Sequence, residues 1–196
     1  MSHPASVDIP ENEASLLRQF GYTSQWLAHD FLTMADLRAQ IEELERSGDT
    51  RGEHYRYGSF IRWLNGRGSA SNEELNHFLD LALGDPDRHM GHSAAIELLR
   101  CCWLSDAQFG AVCERLQRTS SHFDTHIRRH SHLRALANDP GNAEIQQRSL
   151  DSGDGVVQEA LADLDEVSPE ILAALAEKGV VRRVRSIAKQ RLGQRR

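Results

Sequence analysis

Apolar residues recur at helical spacing along most of the chain. One clear instance has apolar side chains at i, i+3, i+4 and i+7: Tyr57, Phe60, Ile61 and Leu64. Residues at this spacing share one face of a helix, which other helices can bury. No segment shows the sustained alternation of apolar and polar residues that is typical of a half-buried strand. The pattern therefore predicts an all-α fold.

Polar residues mark where some of these helices should begin. Thr33 with Asp36, and Ser71 with Glu74, have the spacing of a capping box. In a capping box, each side chain accepts a hydrogen bond from the backbone N–H group of the other residue. The two pairs predict helices that begin directly after residues 33 and 71.

The segment from Gly66 to Ser71 is small, polar and flexible, which predicts a division of the chain there. Residues 1–66 form the predicted N-terminal helical segment. Residues 70–196 form the predicted array of helix pairs, ending in a basic C-terminal helix. Because an array of stacked pairs leaves an apolar face at its end, we expect residues 1–66 to cap that face.

Beyond residue 70 the helices are predicted to come in pairs. The first helices of successive pairs align on four apolar residues, spaced 34, 36 and 27 positions apart: Leu75, Phe109, Ile145 and Leu172. A period in this range is typical of stacked helix–turn–helix repeats. Each pair has an apolar stripe that a neighbouring pair would bury.

Over about residues 70–192 the chain resembles the HEAT-like family of α-solenoid repeats. The second helix of each pair carries the resemblance. Residues 85–98 read Asp-x-x-x-His-x-x-x-x-Ala-Ala-x-x-Leu, which is similar to the family's order of Asp, Arg, Ala-Ala and Leu. Residues 179–188 resemble the Val-Arg-x-x-Ala core of the family, and residues 154–161 match it in part.

The resemblance implies a right-handed stack of antiparallel helix hairpins that presents a binding surface. HEAT-like arrays act as scaffolds, adaptors or inhibitors of partner proteins, some similar arrays bind DNA, and a few hold iron at paired His-Glu dyads. The chain departs from the family in its shorter period, and His89 and Gln158 stand where the family has arginine. The alternative architecture is an irregular helical bundle whose hairpins are similar in length.

Charge is distributed unevenly along the sequence. The net charge is −6, but the eight basic residues from Lys178 onward are accompanied by no acidic residue. Residues 1–177 carry 15 basic and 29 acidic side chains, so an acidic body would attract a basic partner by electrostatic steering. Together with the resemblance, this charge favours a non-enzymatic module that binds a protein partner, as an adaptor or as an inhibitor of the immunity type.

Histidines form the clearest chemical pattern. His122, His126 and His130 recur at i, i+4 and i+8, and His89 with His92 forms a second pair. Imidazoles at i and i+4 can chelate a divalent transition metal, so the two groups are candidate ligands of a metal-dependent enzyme or sensor. Three histidines on one straight helix face span about 12 Å, which is too far for a single ion. The alternative is a solvated face without a metal.

Clustered basic residues offer a nucleic-acid surface as another alternative. The candidates are five arginines and one lysine: Arg128, Arg129, Arg134, Arg182, Arg185 and Lys189. The last three fall at helical spacing and could follow phosphates along a strand. Equally, cations in a final helix suit the C-terminal end of its dipole and stay solvated. The sequence has no standard nucleic-acid motif.

No constellation in the sequence predicts an enzyme, and the preferred hypothesis has no catalytic residue, cofactor or metal. A nucleophile elbow, a phosphate-binding loop and a paired Cys–His arrangement are all absent. Cys101, Cys102 and Cys113 form no Cys-x-x-Cys pair and are expected to be reduced thiols. No apolar run reaches about 18 residues, and residues 1–10 lack the pattern of a secretory signal. We expect a soluble, cytoplasmic protein that does not engage a membrane.

Overall fold

The computed structural model describes residues 11–48 and 51–194, and these residues form α-helices, one short 3₁₀ turn and no strand. The all-α prediction is confirmed. The helices of the first half are α1 (Glu11–Phe20), α2 (Ser24–Ala28), α3 (Met34–Ser47), α4 (Gly52–Asn65), α5 (Asn72–Leu83) and α6 (Arg88–Leu99). Those of the second half are α7 (Asp106–Thr119), α8 (Asp124–Asn138), α9 (Ala143–Leu150), α10 (Gly155–Asp163), α11 (Pro169–Lys178) and α12 (Arg182–Gln194).

Both predicted capping boxes are present. The Thr33 hydroxyl accepts a hydrogen bond from the Asp36 backbone N–H group at 3.1 Å, and the Asp36 carboxylate accepts one from the Thr33 N–H group at 3.1 Å. Ser71 and Glu74 exchange the same two bonds at the start of α5. Each box satisfies N–H groups that a helix start leaves without partners, so α3 and α5 begin where the sequence predicts.

The chain divides into two compact units, residues 1–115 and residues 116–196, and the division falls within α7. In the first unit, α4 packs against α1 and α6, and α5 packs against α6. The segment from Gly66 to Ser71 therefore lies inside the first unit, between helices that share its core. Aromatic rings fill much of that core: Phe20, Trp26, Phe31, Phe60, Trp63 and Phe78.

A buried ion pair ties α4 to the turn that joins α5 and α6. Arg56 donates two hydrogen bonds to Asp85, from Nε at 2.8 Å and from Nη2 at 2.9 Å. The two side chains are only 5% and 1% exposed. Arg56 also donates to the backbone carbonyl of Phe20, and Asp85 accepts from the backbone N–H group of Asp87. Each charge is therefore surrounded by partners, as a buried charge requires.

In the second unit two helix hairpins stack in the same order. The first helices, α9 and α11, pack against each other, and so do the second helices, α10 and α12. α8 packs against α9 and α10. The core that these helices enclose is aliphatic. It includes five completely buried residues: Val157, Leu161, Leu172, Leu175 and Val184. The stacking buries the apolar stripe of each hairpin.

Two buried glutamines bridge the hairpins. Gln158 on α10 donates to the carbonyl of Leu150 at 2.7 Å and accepts from the N–H group of Val180 at 2.9 Å. Gln146 on α9 donates to the carbonyl of Glu166 at 3.1 Å and accepts from the N–H group of Ser168 at 3.2 Å. Gln158 thus holds the α11–α12 loop of the next hairpin, and Gln146 holds the segment that leads from α10 into α11.

Replacing Gln158 with alanine is expected to destabilise the second unit by about 1–3 kcal/mol, because the Leu150 carbonyl and the Val180 N–H group lose their partner. The same variant should increase the hydrogen-exchange rate of the Val180 amide. Gln147→Ala is the matched control, since Gln147 is exposed and bonds only Asp151 on its own helix end. Equal effects of the two substitutions on Val180 exchange would contradict this account of Gln158.

The longest of the described helices, α8, has 15 residues. A bilayer-spanning helix needs about 20 apolar residues. None of the helices within residues 11–48 and 51–194 has the length and apolar character to span a bilayer.

Candidate functional site

Two adjoining cavities follow one side of α8 in the second unit and share Arg128 and His132 in their walls. The larger, of about 390 Å³, lies between the end of α7, α8 and α9. It is lined by Gln117, Ile127, Arg128, Ser131, His132, Ala135, Ile145 and Arg148. The smaller, of about 180 Å³, adjoins the turn before α10. It is lined by Thr125, Arg128, Arg129, His132, Ser152, Gly153 and Asp154. We call the two cavities together the α8 groove.

The start of α8 sets which residues face this groove. The sequence predicts a helix from about His122, but Ser120 caps a 3₁₀ turn over residues 121–123, and α8 begins at Asp124. Phe123 in that turn is completely buried and anchors it. Within α8, Arg128, His132 and Ala135 fall at i, i+4 and i+7 and so share one face.

The groove has an apolar floor and cationic edges. Ile127 and Ile145 form part of the lining, and Ile145 also packs against the aliphatic core of the second unit. Arg128 and Arg148 are both exposed. Within the part of the chain that the structure describes, neither guanidinium has a hydrogen-bond or ion-pair partner. Two arginines on neighbouring helices therefore present their charge to this cavity.

Arg129 contributes differently from Arg128. It is half-buried, and its Nε atom donates to Asp154 Oδ2 at 2.8 Å. Burial raises the pKa of Asp154, but the bond from Arg129 and those from the N–H groups of Val156 and Val157 outweigh it and hold the pKa below its ordinary value. Partial burial, with Arg129 nearby, lowers the pKa of His126. Arg129 thus fixes α8 to the start of α10 and is not a free surface cation.

The other predicted basic residues do not line the groove. Arg134 is half-buried outside its lining, and Arg185 donates a hydrogen bond to the Gly179 carbonyl at 2.6 Å. Arg182 and Lys189 are exposed on α12. Arg182 and Arg185 lie in the first turn of α12, where the helix dipole disfavours cations. The dipole explanation that the sequence offers for these arginines is therefore wrong.

The predicted histidine ligands are split between the two units. His89 and His92 lie on α6 of the first unit. In the second unit, His126 and His130 lie on α8, and the ring of His122 in the preceding turn is 5.9 Å from that of His126. Among the described residues, no group of three or more His, Cys, Asp or Glu side chains could hold a metal ion.

A further cavity of about 400 Å³ lies in the first unit between the ends of α4 and α6. Its two arginines are each paired with a carboxylate, Arg67 with Glu74 and Arg100 with Glu97. Burial raises the pKa of the Cys101 thiol in its wall to about 11. A thiol of this kind stays protonated and is a poor nucleophile near neutral pH. Both arginines in the described lining of this cavity are therefore already paired, and its buried thiol is a poor nucleophile.

In the first unit His29 stacks on His77, with ring centroids 3.5 Å apart. Burial lowers the pKa of His29 and His77 lowers it further, while the opposing effect of Glu73, Asp30 and Asp80 is smaller. The His29 imidazole is therefore protonated more readily in the unfolded chain than in the folded protein. The contribution of His29 to stability should be complete above the ordinary histidine pKa of about 6.5, and it should be lost as the pH falls below that value.

The His29→Gln variant is expected to show a smaller loss of stability between pH 7.5 and pH 5.5 than the unaltered protein. The measurement is urea denaturation followed by tryptophan fluorescence, because all three tryptophans belong to the first unit. His89→Gln removes an exposed histidine of the same unit and serves as the control. An unchanged pH dependence in His29→Gln would contradict the role of the stack.

Arg148 and Ile145 are two of the groove residues that the sequence does not predict as part of a site. Both belong to the short helix α9, where Ile145 follows the helical pattern as a core position and Arg148 is an ordinary exposed cation. Their proximity to Arg128 depends on how α9 packs against α8. The sequence carries no local signal for that packing.

Comparison of the chain with protein-family models, with curated proteins and with solved structures finds no match.

Proposed function

We propose that this protein is a non-enzymatic helical-repeat module that binds a protein partner, and that the partner presents an acidic segment to the α8 groove. One observation carries the proposal: the exposed Arg128 and Arg148 have no ionic partner among the described residues, and they border a cavity with an apolar floor. The stacking of α9 on α11 and of α10 on α12 supports the HEAT-like part of the proposal.

The chemistry of the groove suits carboxylates. A guanidinium binds a carboxylate through two parallel hydrogen bonds, which make the interaction both directional and strong. The floor at Ile127 and Ile145 can receive an apolar side chain between the two charges. A small apolar floor with polar edges is typical of a surface that recognises a polypeptide segment. The expected partner of this groove is thus acidic, whereas the net charge of residues 1–177 alone favours a basic one.

A nucleic acid is a second class of ligand that binds to a cationic surface. Sequence-tolerant binding of single strands uses aromatic side chains on which bases stack. No Phe, Tyr or Trp belongs to the lining of the α8 groove. The lack of such a stacking platform in the described lining favours a polypeptide over a nucleic acid.

The thiols support a cytoplasmic setting as part of the proposal. Cys101, Cys102 and Cys113 are all free of disulfides. Free cysteines are usual in reducing compartments, and the proposal therefore places the partner and the protein in the cytoplasm.

Selection from a random peptide library displayed on phage tests the proposal. Peptides recovered on the purified protein should be enriched in Asp and Glu, and their binding should weaken as salt is added. Single-stranded and duplex DNA, measured at the same low salt, should bind more weakly than the selected peptides. Recovery of neutral or basic peptides only, or tighter binding of DNA, would contradict the proposal.

A further inference from the structure

Three apolar side chains are exposed together beside the α8 groove. Val156, Val180 and Val181 are 49%, 46% and 42% exposed, and they are the exposed large hydrophobic residues of the described chain. A methyl group placed on Gly155 would lie 3.2 Å from Val181 Cγ1 and 3.6 Å from Val180 Cγ2. Val180 and Val181 therefore lie against the start of α10, next to Val156. We call these three residues the valine patch.

The valine patch is held in place by buried contacts. The N–H group of Val180 donates to Gln158, whose side chain is buried on α10. Arg185 donates to the carbonyl of Gly179, one residue earlier in the same loop. A surface that is fixed before binding loses little conformational freedom when a ligand covers it. Its exposure is thus a feature of an ordered loop.

The valine patch begins where the α8 groove ends. Asp154 lines the smaller cavity of the groove and caps α10, and Val156 follows two residues later. Arg182 directly follows Val181, is exposed, and has no ionic partner within the described residues. Cations without partners among the described residues therefore border both the groove and the patch. One ligand that combines negative charge with an apolar side chain would complement both.

We propose that the valine patch is the second half of the binding site and takes an aliphatic or aromatic anchor residue of the same acidic segment that binds Arg128 and Arg148. The inference rests on the proposed function, because the acidic part of the segment sets the partner class. A twelve-residue segment spans roughly 40 Å when extended, which is ample for both halves. The anchor would add affinity by burying apolar surface, and the acidic residues would add steering and orientation.

Two labelled peptides test the inference by fluorescence anisotropy. One is a glutamate dodecapeptide, and the other carries two adjacent leucines among glutamates. The unaltered protein should bind the leucine peptide about ten-fold more tightly, as expected for partial burial of an aliphatic side chain. A Val180→Thr/Val181→Thr variant keeps the side-chain shape but replaces one methyl group of each valine with a hydroxyl group. It should lose most of the leucine preference, because Val156 and the groove floor at Ile127 and Ile145 keep a remainder, and its affinity for the glutamate dodecapeptide should be unchanged.

A Val180→Ile/Val181→Ile variant is the matched control and should keep the preference for leucine. Persistence of the full leucine preference in the threonine variant, or its absence in the unaltered protein, would overturn the inference while leaving the proposed function standing. Failure of both peptides to bind the unaltered protein would overturn the proposed function itself, and the inference with it. Sedimentation equilibrium that finds a dimer of the unaltered protein and a monomer of the threonine variant would also overturn it, because a second copy would then cover the patch.

Discussion

An Arg128→Glu/Arg148→Glu variant is expected to bind the glutamate dodecapeptide at least about 30-fold more weakly than the unaltered protein. Each arginine should contribute about 1 kcal/mol at an exposed edge, so the loss of both amounts to about 2 kcal/mol before the added repulsion is counted. Both side chains are exposed and bond no other described residue, so the variant should fold normally. Fluorescence anisotropy at low salt measures the effect.

The control for this variant reverses the same amount of charge elsewhere in the second unit. Lys178→Glu/Lys189→Glu alters the two lysines of the chain, which are exposed on α11 and α12 and do not line the groove. Its affinity for the glutamate dodecapeptide should fall much less than that of Arg128→Glu/Arg148→Glu, since neither lysine lines the groove and exposed charges outside it are largely screened. Equal losses in the two variants would mean that only net charge matters, and the groove would lose its role.

Asp85→Ala is expected to destabilise the first unit by about 3–5 kcal/mol, because it leaves the Arg56 guanidinium buried without its counter-ion. The Arg56 side chain is 5% exposed and would retain only the Phe20 carbonyl among the partners described above. Such a loss is a large part of the stability of a domain of this size. Urea denaturation followed by tryptophan fluorescence reports the first unit, which holds every tryptophan of the chain.

Asp80→Ala is the matched control for that measurement. Asp80 also pairs with an arginine, Arg115, but the Asp80 side chain is 58% exposed. An ion pair at the surface is worth about 0–1 kcal/mol, so this substitution should change the free energy of unfolding little. A loss in Asp85→Ala as small as that in Asp80→Ala would show that the buried pair does not hold α4 to the α5–α6 turn.

Local signals in the sequence predict the helices well. The capping boxes of Thr33 and Ser71 each consist of hydrogen bonds between residues three positions apart in sequence. Such bonds depend only on the local sequence at the start of a helix, so they can be predicted without knowledge of the fold. The all-α fold follows equally from helical spacing of apolar residues. The start of α8 is the exception, since the 3₁₀ turn before it depends on burial of Phe123, and burial is a property of the folded chain.

The candidate site could be predicted only in part. Arg128 is recognisable as one of several clustered arginines, but its lack of an ionic partner separates it from Arg129 and Arg185, which bond other parts of the chain. Which arginine finds a partner depends on packing between helices that are distant in sequence. Gln158 is a further case, because its neighbours in sequence do not indicate that its amide bridges two hairpins in the structure.

The central claim is that an acidic segment binds in the α8 groove. A titration of the ¹⁵N-labelled protein with the glutamate dodecapeptide, followed by amide chemical shifts, tests it directly. The largest shifts should fall in α8, α9 and the turn before α10, and at the same peptide concentration they should be much smaller in Arg128→Glu/Arg148→Glu. Shifts centred on α6 or on the second half of α12, or none at all with saturating peptide, would contradict the claim.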